Sequence, residues 1–448
     1  MPNKFISRLT ALVAIVMVAM SPVHAQDDER AQRDQKKTKQ AQAVSKDVYE
    51  SIQKAQELVD AKDFNGALRI MKRLYDPEDL TEYEQANVLN YLGFIYYNMD
   101  DIPNALKTYQ QMIRVPELEP QLLKATTYTV AQLYTMEEQY SNALNALEDW
   151  FQLETNPAPD PFILKAQNLY QLQRYEEMIE PVERAMEVAR ARNKEVKEDW
   201  YALLNFAYFQ MENYAKVRDI QKILLNNWPK KRYWFSLAGA FTELGEDRNL
   251  VNAYYASFMQ GMFEKDSEFV TMAQLFMQRE VPFKAAELLD KEMQAGRVAK
   301  NAKNYRLLAQ ALQLAMEDER AIPALTEAAR LTEDGELDVR LGNTYLNVGE
   351  HAECVKAVRA GLRKGGLKNP DNAHISLGMC LYNLKQYADA KGAFREAAKT
   401  TRSRRIANQW ITVIDADMER NEQIRLAEKA ARDKAREVAE RRRAADRV

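Results

Sequence analysis

Cysteine, histidine, glycine and proline are all scarce in this chain. Its 448 residues hold 2 Cys, 3 His, 14 Gly and 14 Pro. Two cysteines cannot build a disulfide framework, and so few histidines leave little for a metal site. Past residue 24 the histidines are His351 and His374, and each has a single ligand-type residue three positions away, Cys354 and Asp371, too few for a metal site. Low glycine and proline exclude collagen-like and low-complexity chains, and no alternating run of β-branched residues suggests a sheet. HExxH, GxSxG, a phosphate-cradling glycine loop and CxxC are all missing; these are the spacings that catalytic and cofactor chemistry most often uses. A non-enzymatic chain with no cofactor and no metal is therefore expected. Charge is nearly balanced, with 63 Lys and Arg against 66 Asp and Glu, which gives no support for nucleic-acid binding. Beyond the first 20 residues no apolar run is long enough to span a bilayer, so no stable membrane insertion is expected.

What the chain does have is a period. Small residues recur in pairs twelve apart: Ala55/Ala67, Gly93/Ala105, Ala131/Ala143, Ala273/Ala285, Ala309/Ala321, Gly342/Cys354 and Gly378/Ala390. Weaker copies, Ala166/Met178, Asn205/Val217 and Ala238/Leu250, fill the interval. The first members are spaced 38, 38, 35, 39, 33, 35, 36, 33 and 36 residues apart, a period typical of solenoids. Two helices approach closely only where neither carries a large side chain. Large residues flank the small ones at helical spacing. Tyr96, Tyr134, Tyr208, Phe241, Phe276 and Tyr345 follow the first small residue by three, and Met71, Tyr109, Leu147, Leu289, Leu325 and Phe394 follow the second by four. Each repeat thus reads as two amphipathic helices joined by a turn such as Lys62-Asp63-Phe64-Asn65.

Segments such as Leu92-Gly93…Tyr96…Ala105…Tyr109…Pro116, and the Trp234-x2-Leu237 opening with Phe241, resemble the tetratricopeptide repeat (TPR). The resemblance covers about residues 47–400. It implies an all-α, right-handed α-solenoid of about ten helix-turn-helix repeats. The three weak copies depart at the second small position, so packing is expected to change between about 160 and 255. The proline-rich stretch 156–161 reads either as a hinge or as an ordinary inter-repeat loop.

The ends read differently. Lys4 and Arg8, twelve largely apolar residues from Leu9 to Met20, and Val23-His24-Ala25 form the pattern of a secretory signal cleaved near Ala25, with a retained N-terminal anchor as the alternative. Residues 26–46 are polar and read as a disordered charged arm. Export with cleavage would place the mature chain in the periplasm. After the repeats, residues 401–448 read as a capping helix, with Ile406, Trp410, Val413 and Ile414 as its apolar stripe, continuing into a charged Arg/Ala-rich helical tail. Arg441-Arg442-Arg443 reads either as a solvated helix end or as a contact for an acidic partner.

The functional surface implied by the TPR resemblance is the concave groove lined by first helices, at positions three before, one after and four after the first small residue. Carried onto this chain these are Asn90, Phe94 and Tyr97; Tyr128, Gln132 and Thr135; Gln167 and Tyr170; Phe206, Phe209 and Phe235; and Arg306, Gln310, Asn343 and Tyr382. Aromatic and amide side chains suit an extended peptide or partner helix, although the same rings also suit an inter-helix core. Cys354 and Cys380 fall on helices expected to pack together, as a possible disulfide or as two small apolar groups. The overall layout resembles periplasmic TPR proteins that accompany TonB systems, which implies a protein-interaction scaffold assisting TonB-dependent uptake across the outer membrane. A scaffold for cell-wall or polysaccharide assembly or export, holding a glycan or a synthase, is the alternative.

Overall fold

The computed structural model describes residues 44–445, with side chains to residue 440. The expected signal, nearly all of the charged arm and the side chains of Arg441, Arg442 and Arg443 lie outside the described residues. Among those described there are helices and no strands, in two units divided between Gly245 and Glu246. The division falls inside the stretch where the repeat pattern weakens.

The first unit holds α1 (Lys46–Asp60), α2 (Phe64–Leu74), α3 (Glu82–Asn98), α4 (Ile102–Ile113), α5 (Pro120–Met136), α6 (Tyr140–Leu153), α7 (Pro159–Gln171), α8 (Ile179–Ala191), α9 (Glu198–Gln210), α10 (Tyr214–Asn227) and α11 (Lys231–Glu243). The second holds α12 (Asp247–Met259), α13 (Asp266–Gln278), α14 (Pro282–Gln294), α15 (Ala302–Leu314), α16 (Asp318–Arg330), α17 (Glu336–Asn347), α18 (His351–Lys364), α19 (Pro370–Asn383), α20 (Tyr387–Ala398) and α21 (Thr401–Ala445). Within each unit every helix packs on the next in sequence, so each unit is a stack in which a repeat buries its faces on its neighbours.

One turn recurs in register. The residue seven after the first small position has positive φ in all ten repeats: Lys62, Asp100, Glu138, Gln173, Glu212, Gly245, Glu280, Met316, Gly349 and Lys385. The next N–H reaches back to the carbonyl of the residue three after the small one, as from Asp101 to Tyr96 at 2.9 Å and from Gln386 to Leu381 at 2.9 Å. That bond closes the first helix and turns the chain into the second. Asp63, Asp101 and Asn213 then cap the second helix by accepting from the N–H three residues on.

The small residues sit where the two helices cross. A Cβ on Gly93 would fall 2.6 Å from the Tyr109 ring, and one on Gly378 would fall 2.7 Å from Phe394. Both partners lie sixteen residues on, the bulky position of the sequence pattern. Two of the three weak copies now have causes. In the fifth repeat the small–bulky contact is replaced by a buried hydrogen bond, with Gln221 Nε2 donating to Asn205 Oδ1 at 2.8 Å and to Ser236 Oγ at 2.9 Å. In the fourth, α8 starts thirteen residues after Ala166 rather than nine, and Pro181 thereby falls in its first turn, where a missing N–H is tolerated.

Residues 156–161 form a short loop and the start of a helix. Pro159 opens α7, and Arg192 Nη2 donates to the carbonyls of Asn156 and Pro157, each at 2.9 Å. The loop is pinned to the end of α8. Successive repeats are stapled similarly by acids in the first turn of first helices. Glu198 accepts from Lys230, Arg232 and Tyr233, and Asp371 accepts from Arg402, Thr400 and Ser403. A carboxylate at a helix N-terminus also suits the helix dipole.

The capping stripe of α21 is shifted from the expected one. Ser403, Ala407 and Ile414 are buried and Trp410 is partly buried, whereas Ile406 and Val413 are exposed. Residues 403, 407, 410 and 414 share one face at spacings of three and four, and 406 and 413 lie one step around the helix. Past Met418 the side chains of α21 face solvent as far as they are described. Cys354 on α18 and Cys380 on α19 form a disulfide with Cα atoms 6.1 Å apart, and both are fully buried.

Candidate binding face on the first helices

First helices of neighbouring repeats touch each other directly, so their outward residues form a continuous strip within each unit. Asn168 Nδ2 of α7 donates to Thr135 Oγ1 of α5 at 2.9 Å, and Gln313 Nε2 of α15 donates to Thr344 Oγ1 of α17 at 2.7 Å. These bonds cross from one first helix to the next and hold the strip in register.

In the first unit the strip is aromatic. Tyr170 of α7 and Phe206 of α9 bring their ring centroids to 4.9 Å, and Tyr175 meets Phe206 edge-on at 5.4 Å. Phe209 meets Tyr214 edge-on at 6.0 Å and is 51% exposed. These edge-to-face arrangements are ones that aromatic pairs favour. Asn90, Phe94, Tyr97 and Gln167 are half-buried on their first helices. Phe235 carries the Lys231 ammonium 5.8 Å from its ring centroid.

Two residues expected on the groove serve the interior instead. Tyr128 packs on Trp150 at 5.1 Å, and burial pushes its hydroxyl up to about 12. Gln132 is 8% exposed. Tyr175 and Tyr214 were not among the expected groove residues. Their signal is nevertheless in the sequence: Phe64, Tyr140, Tyr175, Tyr214 and Tyr387 all stand nine after a first small residue, where a second helix starts in each of these repeats except the fourth, whose Tyr175 lies in the turn before α8. From there a ring reaches back over the turn to the neighbouring first-helix strip.

The second unit is different. Arg306, Gln310 and Asn343 are exposed on α15 and α17. Arg340, one residue off the expected register, is half-buried on α17. Its guanidinium pKa is lowered, first by burial and then by the like charge of Arg306. Tyr382 is covered by the chain itself. Its hydroxyl donates to Asp417 Oδ2 at 2.6 Å and its ring meets Trp410 at 5.3 Å. The first part of α21 therefore occupies the end of this strip. Among the described residues no cluster of His, Cys, Asp or Glu is arranged to hold a metal ion, and no helix is long and apolar enough to cross a membrane.

No protein-family profile matches the chain, and no curated protein does. Solved structures do match. The MamA protein is 20% identical over 37% of this chain and 88% of its own, with a TM-score of 0.33. A tetratricopeptide repeat protein from Parabacteroides merdae is 16% identical over 60% of this chain and 100% of its own, with a TM-score of 0.35. YrrB, described as a TPR protein with an unusual peptide-binding site, is 16% identical over 42% and 95%, also with a TM-score of 0.35. These are distant likenesses, and the architecture rests on the repeat itself. Helix pairs, small residues at most crossings and a turn in fixed register make each unit an all-α stack of tetratricopeptide-type repeats.

Proposed function

We propose that this chain is a non-enzymatic protein-interaction scaffold whose first-helix strip holds an extended peptide or a partner helix. One observation carries the reading: the half-buried Tyr170–Tyr175–Phe206 cluster on and beside first helices, continued by the half-exposed Phe209. Rigid rings with few rotatable bonds offer contact area at low entropic cost, and the amides around them suit a peptide backbone. We place the mature chain in the periplasm, exported by the signal that ends near Ala25. The buried Cys354–Cys380 bridge suits an oxidising compartment. Within that compartment the proposed partners are components of a TonB system, a reading that rests on the layout of signal, arm, repeats and basic tail.

Photoreactive residues at Tyr97, Phe206 and Phe209, with Lys107 on α4 as an exposed control, test this in cells. Crosslinks from the strip to TonB or its receptors support the transport scaffold. Crosslinks to wall or polysaccharide enzymes move the assignment to the alternative. Equal crosslinking from Lys107 would sink the binding face altogether. Fractionation with N-terminal sequencing tests export, and a mature end near Gln26 is expected.

A further inference from the structure

Past its capping segment, α21 runs on with an apolar face that nothing among the described residues covers. Ile424, Ala427, Ala431, Ala435 and Val438 are all exposed, Ile424 by 50% and Val438 by 45%. At the pitch of an α-helix these five lie within about 80° of one another. The opposite side carries Glu422, Arg425, Lys429, Asp433, Arg436 and Glu440, so the segment is two-sided, whereas a helix that only extends into solvent would be polar all round. The order of the apolar five is symmetric. Ala427 and Ala435 stand four residues, and Ile424 and Val438 seven residues, on either side of Ala431. Two identical helices running antiparallel about a two-fold axis need that symmetry, because residue i of one meets residue j of the other while j meets i. Charge along the helix has the matching polarity. Residues 415–428 hold five acids against two arginines, and residues 429–443 hold seven cations against three acids. The helix dipole does not account for this, since the acidic stretch begins more than three turns beyond Thr401 and the dipole acts within the first turn. Parallel helices would set like-charged halves side by side, whereas antiparallel ones set each acidic half against the other's basic half.

We propose that this face is covered by the same face of a second copy of the chain, the two tails running antiparallel with their Ala431 residues at the two-fold axis. Ile424 of each copy then packs on Val438 of the other, and Ala427 on Ala435 of the other. The three alanines let the helices approach closely along the middle of the seam, and the branched side chains close its two ends. Glu428 and Arg432 stand on one flank of the face, so that each meets its opposite charge across the seam. Arg420 and Arg442 take the positions eleven residues either side of Ala431 and confine the seam to the segment between them. The pairing concerns α21 alone and does not depend on what the first-helix strip holds.

Sedimentation equilibrium and cysteine crosslinking of the purified mature chain test the pairing. Both native cysteines are bridged to each other, so an introduced cysteine is the only free thiol. Under mild oxidation Ala431→Cys should form a covalent dimer. Ala427→Cys mixed with Ala435→Cys should form the mixed dimer, and each of those alone should form little. Leu426→Cys, exposed but off the face, is the control. Wild type should sediment as a monomer–dimer equilibrium. The Ile424→Glu, Val438→Glu double variant should raise its dissociation constant by about tenfold or more, with helicity and thermal midpoint unchanged because both side chains are exposed. A wild type that stays monomeric at every concentration would overturn the proposal, as would Ala431→Cys crosslinking no better than Leu426→Cys. Homodimers of Ala427→Cys forming as readily as the mixed dimer would overturn it in favour of parallel tails. A monomer that cosediments with phosphatidylglycerol vesicles through Ile424 and Val438 would overturn it in favour of a lipid surface.

Discussion

Trp410 lies flat against Phe394, with ring centroids 5.6 Å apart and 2° between the ring planes. Phe394 in turn rests on Gly378, so a glycine, a phenylalanine and a tryptophan from α19, α20 and α21 form one column. The column fixes the last helix to the end of the stack. Trp410→Ala removes the outermost member, and loss of a large, well-packed ring costs about 3–5 kcal/mol. Hydrogen exchange should show α21 unprotected from Thr401 to Met418, with the first unit unchanged.

Gly378→Ala attacks the same column from below. The added methyl would meet the Phe394 ring at 2.7 Å, and overpacking of this kind costs about 1–3 kcal/mol. Gly392 on α20 has no atom within 4 Å of an added Cβ. There the change to alanine should stabilise by about 0.5–1 kcal/mol through helix propensity. Urea unfolding of the two variants should therefore shift in opposite directions.

The recurrent turn makes a third prediction. Met316 has φ of 61° and is 88% exposed, so its side chain gains little while its backbone occupies a region that costs non-glycine residues about 1–2 kcal/mol. Met316→Gly should raise stability by about 0.5–1 kcal/mol after the added entropy of the unfolded chain is subtracted. Gly349→Ala, at the same register position with φ of 83° and open space around it, should lower stability by a similar amount. Thermal midpoints would read both.

Acid should loosen the staples between repeats. Burial alone would push the Glu198 carboxyl up, but bonds from Lys230, Tyr233 and Arg232 hold it down to about 2, against an ordinary value of 4.5. Glu84, bonded by Ser45 and Thr81 against the same burial, is also held at about 2. For a group whose folded pKa is depressed, the stabilisation is complete above the unfolded value and disappears as pH falls through the folded one. The window is therefore about pH 4.5 down to 2. Glu198→Gln should cost about 1–2 kcal/mol near pH 6, and the difference from wild type should shrink steadily as urea titrations are repeated toward pH 3.

Joining Cys354 to Cys380 closes a loop with a sequence separation of 26 residues. A loop of this length restricts the unfolded chain by about 3 kcal/mol. Unfolding without reductant should expose no free thiol, and Cys380→Ala should lower the midpoint of the second unit while leaving the first in place.

Most of the fold was legible because small residues at a helix crossing leave a spacing that survives in the sequence. The bulky residues sixteen after Gly93 and Gly378 stood in the sequence pattern, and the structure shows that each packs on its glycine. The pattern faded where chemistry changed while geometry did not. Asn205 and Gln221 keep the contact as a hydrogen bond, which a search for small and large residues passes over. The site was less legible. One helical step separates outward from inward, so Tyr128 and Gln132 went to the interior, and Arg340 lay next to the expected register. Tyr175 and Tyr214 belong to the second-helix side of the turn and reach the strip across it, a route that first-helix spacing alone does not trace. Tyr382 met its own C-terminal helix, a contact between residues 35 apart that no local pattern encodes.

In nine of the ten repeats the second helix begins nine residues after the first small residue, whereas repeat lengths run from 33 to 39. The slack in this chain lies outside that clipped portion, in the lengths of the helices and of the links: α3 and α5 have 17 residues where α9 has 13. A residue added or removed within the clipped portion would throw the turn, the crossing and the ring contact out of phase together. One added to a link would only change how far one pair of helices is advanced or rotated against the next. Each unit is thus like a rule with fixed marks and adjustable spaces, and the chemistry at one mark can be altered without moving the others.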